Sequence, residues 1–359
     1  MHLKILQLAL FAASSSACIG GGEYFLRGYL DWQYEREVRH FQGNEDGIFQ
    51  IVDKPYFYLY KETGARRART VIGKCEDAGR VTRVWYDKVN ENNHRGEAVD
   101  ITRLPAGTQR VLFLGDSYTY GDCVAGEAVF HQRIERELRA EGVQVKCINA
   151  GVPGYNSVQE LALLREIFDQ YKPDLVVLGY VMNDAQALVK IPRPPDYTYR
   201  HVGSVLFEEA KPMLNWLSRA LVRDEQLFRA DKLDDGSNNY RRSFEEDSIA
   251  WRLSKNALAG MARFCEAKGA DFRVVVIPDF TEPFDSRYSC DYIHQAVRSW
   301  GREDGYPVKD LLPGFHNQDS SQMRVKYDGH PNELGHRQIA ELVLPGVYRA
   351  LKARQEARK

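Results

Sequence analysis

The stretch RVLFLGDSYTYGD, residues 110–122, decides the fold. Val111 to Leu114 form an unbroken apolar run of strand length, the pattern of a strand buried on both faces, and Gly115-Asp116 then breaks it. Ser117 is therefore placed where a side chain projects from the edge of a sheet. It reads either as a serine that satisfies backbone donors in a strand-to-helix turn or as a nucleophile supplied with a base from elsewhere in the chain.

Working outward, further apolar runs follow: VQVKCINA (143–150), DLVVLGYVM (174–182), FRVVVIPD (272–279) and the weaker YPVKDLL (306–312). Helix-patterned segments separate them, so the expected architecture is an α/β parallel sheet of five strands covered on both faces. Phe130, Ile134 and Leu138 mark one amphipathic helix that Gly142 can end. Ser157 followed by Glu160 reads as a capping box for the next, closed by Pro173. A helix is expected over 248–268, and Asn332 can cap a last one that Pro345 should break or kink.

Composition narrows the function classes. The chain has 359 residues, 43% hydrophobic, with 49 Lys and Arg against 50 Asp and Glu. That balance offers no basic excess for a nucleic-acid backbone. Six cysteines, at 18, 75, 123, 147, 265 and 290, include no C-x-x-C pair, which argues against structural zinc and leaves disulfide pairing and buried thiols both open. At the amino end Lys4 precedes the apolar run ILQLALFAA, and SSSAC follows, the layout of a secretory signal. Residues 1–27 are accordingly read as a signal peptide or membrane anchor. Cleavage after Ala17, lipid attachment at Cys18 and an uncleaved anchor within residues 3–26 remain alternatives, all of them implying export to the periplasm or cell envelope; the other reading is a cytoplasmic protein with an apolar first helix. Residues 28–109 read as a strand-and-loop layer, 110–353 as the main domain, and 185–247 as a long insertion within it. Segments of that length are commonly lids or binding loops, and Tyr197, Tyr199, Trp216 and Trp251 are candidates to stack on a sugar or acyl group or to form the lid's own core.

Ligands of parallel sheets gather beyond the carboxyl ends of the strands, and polar clusters close the first three runs: GDS, NAGVPG and MND. A fourth, DGHPN (328–332), precedes the last helix. A serine hydroxyl becomes a nucleophile only when an oriented imidazole takes its proton. His330 is the natural base and Asp328 its orienter, with His336 read as a structural histidine. Acyl transfer also needs donors for an oxyanion, and Ser117 and Gly154 offer backbone N–H groups while Asn183 offers an amide. Asp184 reads as a structural partner. Asp116 and Asp122 raise a magnesium alternative, but no further acidic cluster accompanies them, and no metal or cofactor is expected.

These blocks together, GDS, NAGVPGYN, ND and D-x-H-P-N, resemble the SGNH/GDSL hydrolase family, in particular its exported or membrane-anchored members. The resemblance implies a flavodoxin-like, three-layer α/β/α sandwich and a serine esterase mechanism with Ser117 as nucleophile, His330 and Asp328 as the base pair, and Ser117, Gly154 and Asn183 as oxyanion donors. The expected substrate is a small-molecule or carbohydrate ester, such as an acylated envelope carbohydrate. Cys123 takes a place where the family pattern would have glycine and is read as an ordinary packed thiol, and two further positions depart from that pattern. Val181 stands where glycine is usual, which is expected to narrow the approach to the site, and Asp328 lies two rather than three residues before His330. Both departures favour the alternative of a noncatalytic polysaccharide-binding or assembly component.

Overall fold

The computed structural model describes residues 49–51, 58–60, 69–77, 80–89, 94–97, 99–185, 240–246, 248–326 and 328–358. Short strands β1 (Phe49–Ile51) and β2 (Tyr58–Tyr60) precede an antiparallel hairpin of β3 (Arg69–Asp77) and β4 (Arg80–Val89), whose register shifts between Cys75 and Glu76.

The main unit is built from β5 (Gln109–Gly115), α1 (Ser117–Tyr120), α2 (Phe130–Ala140), β6 (Val145–Gly151), α3 (Ser157–Tyr171), β7 (Leu175–Tyr180), α4 (Ile249–Ala267), β8 (Asp271–Val276), α5 (Asp291–Asp304), β9 (Val308–Asp310), α6 (Ser320–Met323) and α7 (Glu333–Ala357). All five predicted strands form one sheet in the order β6-β5-β7-β8-β9, every neighbouring pair parallel. The chain therefore steps from β5 to one side and from β6 back to the other. Right-handed crossovers then place α2 and α3 on opposite faces of the sheet, and the flavodoxin-like three-layer architecture follows.

Burial explains the apolar runs. Val111 to Leu114 and Leu175 to Leu178 are each no more than 2% exposed, as strands covered on both faces must be. The predicted stripe of α2 packs inward: Phe130 meets Phe113 edge to face at 5.5 Å, and Ile134 and Leu138 join Val343 and Val347 of α7 in the same core.

Two expected helix boundaries differ in the structure. The cap of α3 is Asn156, not Ser157; its Oδ1 accepts from Val158 and Gln159 N–H, and Gln159 completes the box. Asn156-x-x-Gln159 and Ser157-x-x-Glu160 both satisfy the capping pattern; the upstream pair takes the role, while the Ser157 hydroxyl is engaged by Asp184 and Ser254. Nor does Pro345 break the last helix, which runs on to Ala357. Pro345 and Glu341, whose carbonyl loses its partner, both lie on the exposed face, where water can satisfy the freed oxygen.

Candidate active site

Three glycines set the platform. Gly115 pairs with Gly151 of β6 and Gly179 of β7 in register across the carboxyl ends of three adjacent strands. A Cβ on Gly115 or Gly179 would lie 2.3 or 2.4 Å from Thr119 Oγ1, and one on Gly151 would lie 2.4 Å from Tyr120 N. The missing side chains let the single turn of α1 lie directly on the sheet edge, with Thr119 fully buried. This row shows in the sequence as a glycine at or near the end of each of the first three apolar runs, a signal the motifs do not use. Asp116 caps the turn, accepting from Tyr118 N–H at 2.9 Å, and Gly121 closes it at φ 87°, a left-handed conformation suited to glycine.

Ser117, first residue of that turn, meets His330 from the far end of the chain. His330 Nε2 lies 2.8 Å from Ser117 Oγ, while Nδ1 makes a short contact with Asp328 Oδ1. Spacing by two residues suffices because the loop folds tightly: Asp328 Oδ1 also accepts from His330 N–H at 2.8 Å, and Val325 N–H donates to His330 O at 2.9 Å. Tyr118, which the sequence reading did not single out, holds this loop. Its hydroxyl donates to Gly329 O at 2.9 Å and its ring lies 5.4 Å from the His330 ring.

The imidazole sits among carboxylates. Burial alone would lower its pKa, but the Asp328 hydrogen bond, then the charges of Asp122 and Asp328, raise it to about 9. Asp122 Oδ2 is 3.9 Å from Nε2, with about a quarter of each side chain exposed. The hydrogen bond from His330 in turn holds Asp328 below the ordinary carboxylate range.

Asn183 lies beside the serine, with Nδ2 donating to Asp116 Oδ2 at 3.0 Å, which leaves its second N–H available. Asp116 is 2% exposed and also accepts from Ser117 Oγ at 3.3 Å; burial raises its pKa. Gly154 occupies the third position of a turn closed by Tyr155 N–H donating to Val152 O, at φ 80° after Pro153, the arrangement of a type II turn that calls for glycine there. The backbone N–H groups of Ser117 and Gly154 donate to no partner among the described residues.

The departures at Val181 and Asp328 resolve. The Val181 side chain is fully buried in the core with Val275, Ile277 and Phe280, so it packs inward rather than narrowing the approach, and Asp328 reaches the ring. Asp184 has the structural place expected: it is 2% exposed and accepts from Val181 N–H at 2.6 Å and Ser157 Oγ at 3.1 Å. His336 is also interior, stacked on Phe130, and burial drives its pKa well down. Trp251 is a core residue of α4, packed on Phe244 at 5.3 Å; Tyr197, Tyr199, Trp216 and the first 27 residues lie outside the described residues.

The magnesium alternative finds little support in the donors present. Asp116 is committed to three hydrogen bonds and Asp122 faces the His330 ring. Cys123, Asp328 and His330 cluster closely enough to hold an ion, but Cys123 is disulfide-bonded rather than the packed thiol expected from the sequence and has no thiolate to offer. Cys147, Cys265 and Cys290 are buried free thiols, so both outcomes left open for the cysteines occur.

Residues 113–338, more than half of the chain, match the GDSL-like lipase/acylhydrolase family, and the protein belongs to it. No curated protein matches the chain. Among solved structures it is similar to TesA, at 18% identity with a TM-score of 0.44, over 67% of this chain and 99% of that one. It is also similar to the psychrotrophic esterase EstA from Pseudoalteromonas sp., at 15% identity and TM-score 0.41, over 68% and 99%. A third is the lipase/acylhydrolase from Enterococcus faecalis, at 15% identity and TM-score 0.42, over 67% and 95%.

Proposed function

We propose that this chain is a serine esterase or acyl-transfer enzyme working through a covalent acyl intermediate on Ser117. The observation that carries the reading is the Ser117 Oγ to His330 Nε2 distance of 2.8 Å with Asp328 on the opposite ring nitrogen. As Oγ attacks the ester carbonyl carbon, Nε2 takes its proton, and Asp328 holds the tautomer and stabilises the imidazolium. Negative charge on the carbonyl oxygen would be met by the N–H groups of Ser117 and Gly154 and the free amide N–H of Asn183. Collapse breaks the carbon to alkoxy-oxygen bond, and the imidazolium returns its proton to the leaving alcohol. Water or an acceptor hydroxyl then attacks the acyl-serine in the same way, the proton passing again through Nε2. No cofactor is required.

The substrate class that fits the whole chain is an acylated carbohydrate of the cell envelope. Its support is the address-like amino end, which implies export to the periplasm or envelope, cleaved or anchored.

The test is a fluorophosphonate probe together with a small chromogenic acetyl ester. Wild-type protein should be labelled and turn over the ester, and Ser117→Ala should lose both. A folded wild-type protein that binds glycan and is never labelled would overturn the reading in favour of a noncatalytic envelope component. Product analysis with an added acceptor alcohol separates hydrolysis from transfer.

A further inference from the structure

Two carboxyls behind the site take no part in the chemistry above, and both are interior: Glu160 in the first turn of α3 is fully buried and Asp184 is 2% exposed. We propose that Glu160 and Asp184 share one proton as a buried carboxyl pair that positions the two loops carrying Gly154 and Asn183. The inference rests on the catalytic reading for what those loops do, but not for the pair itself.

Asp184 is a strut between the loops. Its backbone oxygen accepts from Ser157 N–H at 3.2 Å and its Oδ1 from Ser157 Oγ at 3.1 Å, while Oδ2 accepts from Val181 N–H at 2.6 Å. One side chain thus fixes the start of α3, three residues beyond Gly154, against the turn that presents Asn183. Ser254 of α4 backs the strut, 3.1 Å from both Ser157 Oγ and Tyr180 OH.

Glu160 has a different environment. Neither of its oxygens meets a donor among the described residues, and the carboxyl facing it is that of Asp184. The other titratable groups acting on the pair are Asp116, from the end of β5, and Tyr180, from β7. No lysine or arginine pairs with either carboxyl among the described residues. Two buried anions cannot stand side by side without a cation, so one proton remains. Asp184 already accepts two donors and keeps the charge; Glu160 carries the proton and donates it to Asp184. Burial and the neighbouring negative charge raise both above the ordinary carboxylate range.

The consequence is an alkaline ceiling. Loss of the proton leaves two interior charges beside Asp116 and pushes apart the loops the strut joins. The sign of the stability effect follows: the folded state keeps a proton that the unfolded chain releases above about pH 4. Folding therefore weakens as pH rises from there to the pair's own ionisation, by up to about tenfold per pH unit in the folding constant, and then levels off.

Glu160→Gln tests this, since an amide donates to Asp184 without titrating. Urea unfolding between pH 5 and 9 should show the wild-type folding constant falling with pH and the variant's falling less steeply, by about one proton. In kcat/KM profiles the alkaline limb of the variant should move upward. Infrared spectra of the wild-type protein at pH 7 should contain the carbonyl band of a protonated carboxyl, diminished in Glu160→Gln. Equal slopes in the two proteins would overturn the proposal. Should the variant fail to fold, a wild-type protein with pH-independent stability in this range, or with no protonated-carboxyl band, would overturn it as well. A protein that turns over no ester but shows the band and slope would sink the catalytic reading and leave the pair standing.

Discussion

Replacing Asp122 by asparagine should make the protein a faster esterase at neutral pH. Removing a charged group beside a reactive centre ordinarily slows it, so the direction is diagnostic. Asp122 Oδ2 lies 3.9 Å from His330 Nε2, the nitrogen that in the proposed mechanism must be unprotonated to accept the serine proton. Opposite unit charges at about 4 Å attract by about 1 kcal/mol at the dielectric of water and about 4 kcal/mol at an effective value of about 20. With roughly a quarter of each side chain exposed, the lower part of that range applies, about 1–2 kcal/mol, or about one pH unit. The imidazole, raised to about 9 in the native protein, is neutral in only about 1% of molecules at pH 7 by simple titration; lowering its pKa by one unit makes that about 10%. The kcat/KM for a chromogenic acetyl ester, which reports the free enzyme, should rise about tenfold at pH 7 in Asp122→Asn and converge with wild type above about pH 10. Salt near 1 M, where the screening length falls to about 3 Å, should move the wild-type profile toward the variant's. A variant whose acid limb is unmoved, or whose rate at pH 7 falls while the limb stays in place, would show that Asp122 does not control this imidazole.

Two further outcomes follow from the packing around α1 and the histidine loop. Gly179→Ala would set a Cβ 2.4 Å from the Thr119 hydroxyl, overpacking that typically costs about 1–3 kcal/mol. Urea melts should show that loss, kcat should fall more than KM changes, and Thr119→Ala in the same chain should recover part of it; a fully stable, fully active single variant would refute the platform. Tyr118→Phe removes the 2.9 Å bond to Gly329 O, worth about 1 kcal/mol net, and should lower kcat by several-fold with phosphonate labelling slowed in proportion. Unchanged labelling kinetics would mean that the loop is held without it.

What could be read in advance divides along physical lines. The central strands β5 and β7 were visible because a strand covered on both faces must be apolar at successive positions, while the short, partly exposed edge strand β9 gave only a weaker signal. The meeting of Ser117, His330 and Asp328 was legible because polar residues stood where those runs ended. Finer features were hidden for identifiable reasons. Asn156 and Ser157 are equally able to cap, and what separates them is the engagement of the Ser157 hydroxyl by Asp184 and Ser254, both distant in sequence; a glutamate in a first helical turn looks like an ordinary cap residue until its surroundings are seen. Val181 resembled an obstruction because a sequence does not say which way a side chain turns at the end of a strand. The bonded state of Cys123 was hidden because six cysteines with no C-x-x-C pair leave their pairing open.

Arg95 was not singled out from the sequence, and it lies ahead of the family-matched region. It is 5% exposed, and its guanidinium donates to Tyr120 O at 2.7 Å, Gly121 O at 2.5 Å and Val124 O at 2.5 Å while covering the Tyr120 ring at 4.7 Å. Those three carbonyls bracket Asp122 and Cys123. A recombinant fragment trimmed to the recognised family limits would therefore keep every reacting group and lose the clamp on the loop beside them. The smallest autonomous catalyst should begin upstream of Arg95, which makes the preceding segment part of the working machine rather than a dispensable leader.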